Sequence, residues 1–275
     1  MKKKLSLTLL AALGLEVAGA TIASSPLLAQ DTIPICEPLE VYQTGSGFVQ
    51  CNYDDGSNYI GTFEDFQPNG RGIYMMADGS RYEGEFRNGK PHGRGRLILD
   101  SDARYEGEFL DGVLQSGTGF FADGSRYEGG FTEVYRVETQ EQEVTREEET
   151  EEGDTIEYQD TEEIEEDREA SFQPHGRGTF TFANGNRYEG EFFVGQPFGG
   201  GTFYHATGTV CQGYFYNLNF DGSNCTCRYP NGASYRGELR QARPHGTGTM
   251  TLPDGTTISG AFRAGQPVSF SGYQP

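Results

Sequence analysis

The feature that most constrains this chain is a five-residue phrase, Tyr-Glu-Gly-Glu-Phe, which recurs at a nearly fixed spacing. It occurs at Tyr82–Phe86, Tyr105–Phe109 and Tyr188–Phe192. Related phrases begin at Tyr59, Tyr127, Cys211 and Tyr235. Self-similarity with a period of about 23 residues indicates a repeat architecture, in which each unit packs only against its neighbours.

Each unit predicts one β-hairpin. Strand alternation places Tyr82, Gly84 and Phe86 on one face of the first strand and the two glutamates on the other. An Asn-Gly step then supplies the turn, and a second strand containing two glycines follows. The glycines leave room for an aromatic ring or let two backbones approach closely. A single hairpin is only marginally stable, so we expect stacked copies to bury a continuous aromatic stripe.

The unit resembles the MORN repeat (membrane occupation and recognition nexus), whose consensus is close to YEGEWxNGKxHGxGxxxxxDGxx. The matching residues of one unit are Tyr82, Glu83, Gly84, Glu85, Phe86, Asn88, Gly89, Lys90, His92, Gly93 and Gly95. Two departures are Phe or Leu in place of Trp, and Cys211 in place of Tyr. The resemblance implies an all-β fold, an elongated single-layer antiparallel meander of stacked β-hairpins with one hairpin per repeat. Two strands per repeat would advance this MORN-repeat solenoid by roughly 10 Å per unit.

The N-terminal residues predict an exported protein. A basic start, the apolar run Leu5–Leu15 and the small residues that follow are typical of a secretory signal peptide. We assign this signal to residues 1–29, with cleavage after Ala20 or Ala29, and an N-terminal segment to residues 30–44. MORN repeats are expected over residues 45–137 and 170–275, the latter including a C-terminal cap. The predicted location is periplasmic or extracellular.

An acidic insertion interrupts the repeats at a hairpin tip, where repeat proteins tolerate insertions. Residues 138–169 contain 17 Asp and Glu against two Arg, a net charge of −15, whereas the whole chain has a net charge of −20. This composition predicts a disordered loop. The alternatives are an arm that engages a basic partner or divalent cations, a strand extension near Tyr135–Val144, a short helix over Glu162–Ala170, and a contact with the second repeat.

Five cysteines remain after the predicted cleavage, in a compartment that permits disulfides. Cys36 and Cys51 flank the first half unit and are candidates to staple the end of the array. Cys211 and Cys227 lie near opposite positions on neighbouring strands and are the second candidate pair, which leaves Cys225 unpaired. A zinc site at Cys225 and Cys227 is disfavoured, because one intervening residue is not the usual ligand spacing.

The sequence predicts neither an enzyme nor a bound cofactor or metal. His92, His175 and His245 share one repeat position and would lie too far apart for one ion, so we interpret them as repeat-turn residues. The Asp-Gly steps lack the pattern of a calcium loop and are interpreted as turns. Arginines that precede the Tyr-Glu-Gly phrase are expected to pair with the glutamate two residues on. These arginines are Arg81, Arg104, Arg126 and Arg187.

The leading functional hypothesis is a protein-interaction scaffold or adaptor in the cell envelope, with an unknown protein partner or with self-association through the open edge strands. Strong negative charge disfavours nucleic acid and makes membrane contact weak or absent. One alternative is lipid binding through a local basic patch formed by Arg87, Lys90, Arg94 and Arg96. Another is glycan or cell-wall binding through Tyr204, Tyr214 and Tyr216, although these rings could equally pack between repeats.

Overall fold

A computed structural model describes residues 21–22, 34–149 and 155–270, and the side chains of residues 34–134 and 171–268. Apart from Thr21–Ile22, the predicted signal peptide lies outside the described residues, as do the last five residues of the predicted C-terminal cap. None of the helices in the described part of the chain is long and apolar enough to cross a membrane.

The described chain is almost entirely β-structure. It begins with the two-residue strand β1 (Thr21–Ile22), then β2 (Ile35–Glu37) and one helical turn, α1 (Val41–Thr44). Seven strands follow: β3 (Gly47–Asn52), β4 (Asn58–Glu64), β5 (Gln67–Met75), β6 (Arg81–Arg87), β7 (Lys90–Ile98), β8 (Arg104–Leu110) and β9 (Val113–Phe120). Two long strands come next, β10 (Arg126–Glu149) and β11 (Thr155–Thr181). The last eight strands are β12 (Arg187–Phe193), β13 (Gln196–Tyr204), β14 (Val210–Phe215), β15 (Gly222–Arg228), β16 (Ser234–Arg240), β17 (Arg243–Thr251), β18 (Thr257–Arg263) and β19 (Gln266–Phe270).

The strands form one open antiparallel meander. From β2 to β19 each strand pairs with the next strand in the sequence. The short β1 is the exception, because Thr21 pairs with Ser171 of β11. The predicted all-β meander with one hairpin per repeat is therefore confirmed.

The repeat's alternation produces the buried aromatic stripe. In β6, Tyr82 and Phe86 are buried while the intervening glutamates face outward and are partly exposed. The Tyr82 ring meets Phe86 of its own unit and Phe109 of the next unit edge-to-face, both with ring centroids 5.1 Å apart. Edge-to-face aromatic pairs are favoured by the ring quadrupole. The equivalent pairing of Tyr188 with Phe215, at 5.6 Å, carries the stripe into the second half of the sheet.

Glycines face one another across the sheet in a nearly continuous row. Gly84 pairs with Gly72 on one side and with Gly95 on the other, and the row continues from strand to strand in both directions. A Cβ built on Gly95 would lie 2.1 Å from the Tyr82 hydroxyl oxygen. The glycines thus make room for the tyrosine of their own unit and let adjacent backbones approach closely.

One unit fills this space differently. Cys225 occupies the row position that belongs to glycine in other units, and it pairs with Gly237 of the next strand. In the same unit Cys211 replaces the tyrosine and is disulfide-bonded to Cys227, directly opposite. Because the tyrosine ring is missing, the buried thiol of Cys225 occupies room that the glycine row otherwise leaves for a phenol.

The two predicted disulfides are confirmed. Cys36 and Cys51 are bonded across β2 and β3, next to the helical turn α1, whose Val41 is buried. This bond closes the first strand pair of the meander. Cys211 and Cys227 are bonded within the sheet, and Cys225 is a free, buried cysteine. Burial raises the pKa of the Cys225 thiol to about 11, so the group is held in its unreactive protonated form at neutral pH.

The backbone of the acidic insertion differs from the predicted disordered loop and from the alternative of a short helix. Beyond the body of the sheet, β10 and β11 continue as a paired hairpin, from Val134 opposite Ser171 to Glu149 opposite Thr155. We call residues 131–149 and 155–175 the acidic arm. The alternative of a strand extension near Tyr135–Val144 agrees with this pairing, in which Tyr135 stands opposite Ala170 and Val144 opposite Asp160.

Candidate binding face

The face opposite the aromatic stripe is polar and open to solvent, and we call it the polar face. It carries the side chains that flank the glycine row, such as Glu83 and Glu85 on β6 and Arg94 and Arg96 on β7. Because the stripe is committed to packing between repeats, this face is the surface that remains available for a partner.

A ladder of ion pairs crosses the polar face, as the sequence predicted. Each arginine that precedes a Tyr-Glu-Gly phrase pairs with the glutamate two residues on. The pairs are Arg81–Glu83 at 2.9 Å, Arg104–Glu106 at 3.1 Å, Arg126–Glu128 at 2.8 Å and Arg187–Glu189. Partly exposed pairs of this kind contribute about 0–1 kcal/mol each. Their contribution to stability is small, and their main effect is to hold the arginine and glutamate side chains in place on the polar face.

The candidate basic patch is largely neutralised by acidic neighbours. Arg87 pairs with Asp111 at 3.1 Å, and Arg94 and Arg96 pair with two glutamates of β8 at 2.9 and 3.7 Å. Lys90 is exposed at the hairpin turn. The Arg87 guanidinium holds the pKa of the Asp111 carboxyl below its usual range. Because its three arginines face carboxylates, the patch presents little free positive charge to an anionic lipid.

The three histidines interpreted as repeat-turn residues lie within strands. His92 and His245 are the third residues of β7 and β17, and His175 lies well inside β11. Gly93, which follows His92, has φ +63°, a left-handed conformation that favours glycine. The backbone carbonyls of His175 and His245 accept hydrogen bonds from Tyr127 and Tyr235, at 3.4 and 3.1 Å. Among the described residues no group of three or more His, Cys, Asp or Glu is placed to hold a metal ion.

The Asp-Gly steps are turns, as predicted. Asp55, Asp78 and Asp123 each accept the backbone N–H of the serine two residues on, at 2.8 Å. Asp254 accepts the N–H of Thr256 at 2.9 Å, which lowers the pKa of the Asp254 carboxyl. A carboxylate that caps its own turn directs its oxygens at the local backbone.

Two shallow grooves follow the glycine row on the polar face. The larger, about 900 Å³, spans β11 to β15, and we call it the central groove. The smaller, about 450 Å³, lies over β3 to β7. The central groove has a floor of glycine backbone and walls rich in hydroxyl and amide groups. Its polar wall residues include Thr179, Thr202, Gln212, Asn224 and Thr226.

Exposed aromatic rings lie on the strands of the central groove. Tyr214 and Tyr216 are 57% and 47% exposed, so the alternative that these rings pack between repeats is wrong for both. Tyr204 differs from them. Its ring lies under the Arg187 guanidinium, 4.2 Å from ring centroid to Cζ, and its hydroxyl donates to Glu189 at 3.1 Å.

Sequence reasoning missed two further exposed rings, Phe193 and Phe198, which are 59% and 56% exposed. Their ring centroids lie 6.1 Å apart, and Phe193 also contacts the imidazole of His175. The available signal was a departure from the chain's own repeat: Phe198 occupies the position of His92 in the second repeat.

The family comparison agrees with this geometry. The MORN repeat model matches residues 59–81, 82–103, 173–187 and 235–257. The chain carries MORN repeats. The matches fall on both sides of the acidic arm, and the third begins where the interrupted MORN unit resumes. MORN repeats indicate a protein that works by binding or interaction.

Other comparisons add little. No curated protein sequence matches this chain. Among solved structures, the TCP domain of Drosophila melanogaster SAS-4 (dCPAP), in complex with a proline-rich motif of Ana2 (dSTIL), is 12% identical with a TM-score of 0.31, covering 78% of this chain and 88% of that chain. A mutant of the TCP10 domain of Danio rerio CPAP is 16% identical with a TM-score of 0.22, covering 78% and 89%. Both TM-scores are too low to support a structural or functional argument.

Proposed function

We propose that this MORN-repeat chain is an exported, non-catalytic scaffold or adaptor of the cell envelope, which captures a basic protein partner with its acidic arm. The sheet would present the arm and the polar face, and the aromatic stripe would hold the repeats together. The proposal treats the arm as the recognition element because it is the largest departure from the repeat.

The observation that carries the proposal is the register of the arm. Pairing of β10 with β9 reaches only Gly130, and pairing of β11 with β12 begins only at Gly176, so the hairpin between them extends past both neighbours. Phe131 still packs in the aromatic stripe, so at most eighteen residues of β10, 132–149, lie in this extension. At about 3.4 Å per residue the arm can reach roughly 60 Å.

The arm also places like charges opposite each other. Glu138 stands opposite Glu166, Glu141 opposite Glu163, and Glu147 opposite Glu157. Like charges at directly opposed positions of an antiparallel pair are destabilising. A partner that supplies Lys or Arg would relieve this repulsion and form charge-assisted hydrogen bonds, so the arm gains most from a cationic surface.

Export is supported by the two disulfides, because such bonds persist in oxidising compartments. A non-catalytic role is supported by where the described groups with shifted pKa values lie. The largest pKa shifts belong to stripe tyrosines such as Tyr59, Tyr82 and Tyr127, where burial raises the pKa, and these rings pack in the core. Perturbed groups in an active site would instead converge on a cleft.

The test is in-cell crosslinking of the tagged chain followed by mass spectrometry, with two variants. One variant lacks residues 138–169, and the other is Glu138→Gln/Glu141→Gln/Glu147→Gln, which keeps the length of the arm. We expect a discrete basic partner that the deletion abolishes and the triple variant weakens, with binding that falls as salt is added. A partner recovered equally from the wild type and both variants would contradict the proposal.

A further inference from the structure

Four exposed aromatic side chains lie on neighbouring strands, on β12, on β13, near the end of β14 and directly after it. They are Phe193, Phe198, Tyr214 and Tyr216, each between 47% and 59% exposed, and we call them the aromatic patch. Phe193 contacts Phe198, and the Tyr216 hydroxyl is hydrogen-bonded to Ser223. Phe193, Tyr214 and Tyr216 fall on the polar face, because buried Phe192 and Phe215 alternate with them along the chain. Phe198 contacts Phe193 and is exposed beside it.

These rings are not required by the repeat itself. In the second repeat, Glu85 holds the position of Tyr214, Arg87 that of Tyr216, and His92 that of Phe198. The local stripe is already supplied by Tyr188, which packs against Phe192 and Phe215 on the opposite face. Polar positions of the repeat therefore become aromatic together in two adjacent units, which is the pattern expected of a binding surface.

The aromatic patch adjoins a groove made for hydrogen bonding. Tyr214 lines the central groove, opposite Gly200 on β13, and the nearby walls are threonine, glutamine and asparagine side chains. Hydroxyls and amides can both donate and accept. The two carboxylates of the groove are partly engaged, since Glu189 pairs with Arg187 and Glu191 stands opposite Arg177 in the register.

We propose that the aromatic patch and the central groove together bind an uncharged, linear polysaccharide. The C–H face of a pyranose ring packs on the electron-rich face of Tyr or Phe, and its hydroxyls exchange hydrogen bonds with the groove walls. A chain of such rings matches an open groove that runs across successive strands, whereas a small ligand would require an enclosed pocket.

The negative charge of the protein favours uncharged polymers over polyanions as ligands of the central groove. The protein carries a net charge of −20, so polyanions such as nucleic acid and acidic glycans are repelled. A protein hot spot would also use exposed Tyr and Phe, but the core of such a spot excludes water and charged groups. Here the rings border solvated hydroxyls and carboxylates, which suits a hydroxyl-rich polymer. This binding is independent of the acidic arm, and the arm variants leave its residues unchanged.

Affinity gel electrophoresis tests the proposal, with soluble β-glucan, xylan and glycol chitin as probes. The wild type should be retarded by at least one polysaccharide, and Tyr214→Ala/Tyr216→Ala should weaken that binding at least about tenfold. Phe198→Ala should weaken it as well. Leu110→Ala is the matched control, because Leu110 is 48% exposed at the repeat position of Tyr216 and should change nothing.

Three outcomes would overturn the proposal: no retardation by any of the three probes, equal retardation of the wild type and the double tyrosine variant, or equal loss in the Leu110→Ala control. A protein crosslink that depends on Tyr214 and Tyr216, without polysaccharide binding, would assign the patch to a protein partner instead. Circular dichroism of each variant distinguishes lost binding from lost folding, and Tyr214→Phe, which keeps the ring, should retain binding.

Discussion

At the scale of single residues, the fold depends on a contact between one tyrosine and two glycines. The Tyr82 hydroxyl donates to the Glu85 carbonyl at 3.0 Å and lies over Gly84 and Gly95. The same donor reaches the third residue on in the units of Tyr59 and Tyr235, at 2.9 and 3.0 Å. These three repeats are thus each fixed by a buried ring whose hydroxyl donates to a carbonyl of its own strand.

Gly95→Ala should destabilise the chain by about 1–3 kcal/mol, because the new Cβ would lie 2.1 Å from the Tyr82 hydroxyl oxygen. Tyr82→Ala alone should reduce the free energy of unfolding by about 3–5 kcal/mol. In the Tyr82→Ala background, however, Gly95→Ala should be nearly neutral, giving a coupling energy of about 1–3 kcal/mol. Urea denaturation of the four proteins measures this cycle, and additive effects would refute the steric account.

The repeat that contains Cys225 lacks both the tyrosine and the glycine of the row, so it provides a natural comparison for that double-mutant cycle. Cys225→Gly should restore the glycine of the row but leave unfilled space, because Cys211 supplies no phenol ring. We expect a loss of about 1–3 kcal/mol for the glycine variant and a smaller loss for Cys225→Ala. The native thiol should react with a thiol reagent only when urea unfolds the sheet. Rapid labelling of the folded protein would show that Cys225 is accessible.

At the scale of elements, the two disulfides join strands at different places in the meander. Cys36–Cys51 closes a terminal strand pair, whereas Cys211–Cys227 joins two strands inside the meander. The residues joined are separated by 15 and 16 positions, so the chain-entropy model gives similar stabilisation, about 3 kcal/mol each. What differs is their place in the sheet, because β2 pairs only with β3, whereas β14 and β15 each pair with a further strand on the other side.

Cys36→Ala/Cys51→Ala should loosen β2 and β3 while the rest of the sheet keeps its protection. Cys211→Ala/Cys227→Ala should expose backbone amides across β13 to β16, because strands on both sides depend on this pair. Native-state hydrogen exchange of the two double variants measures the difference. Equal and global loss of protection in both would show that the sheet unfolds as a single cooperative unit.

How far the elements could be predicted depended on the repeat. Alternation around Tyr82 and Phe86 gave the hairpin and the buried face, and the Arg81–Glu83 type of ion pair followed from the same alternation. Composition misled for the acidic arm, because charge density alone does not report whether the flanking strands continue their ladder. The exposure of Phe193 and Phe198 was not predicted, because each repeat was compared with the family consensus. A comparison between the chain's own repeats is what reveals these two aromatic residues.

At the scale of the whole molecule, stability is distributed along the aromatic stripe and not concentrated in one centre. Burial raises the pKa of the stripe tyrosines, and for Tyr188 the raised value is about 12, against an ordinary value of 10.0. A tyrosine that stays protonated in the folded state but ionises in the unfolded state favours unfolding as the pH rises. Alkaline conditions therefore act on several repeats at once.

Raising the pH should leave stability unchanged below about pH 10 and reduce it progressively from there to about pH 12, where folded Tyr188 itself ionises. The loss for this one residue is roughly 3 kcal/mol. Tyrosinate absorbance and far-ultraviolet circular dichroism after a rapid pH jump should change together for the buried rings. Complete ionisation near pH 10 with the sheet intact would contradict the burial of the stripe.

The consecutive pairing of β2 to β19 also determines how the chain can reach its fold. Nearly every long contact joins a strand to the strand made just before it, so few distant segments must find each other. Topologies of low contact order fold fast, and each completed hairpin offers the next strand a template. Folding can therefore advance one hairpin at a time. Among the pairings of the described residues, those of Thr21 with Ser171 and Ile22 with Ala170 join the segments farthest apart in the sequence, so they form last.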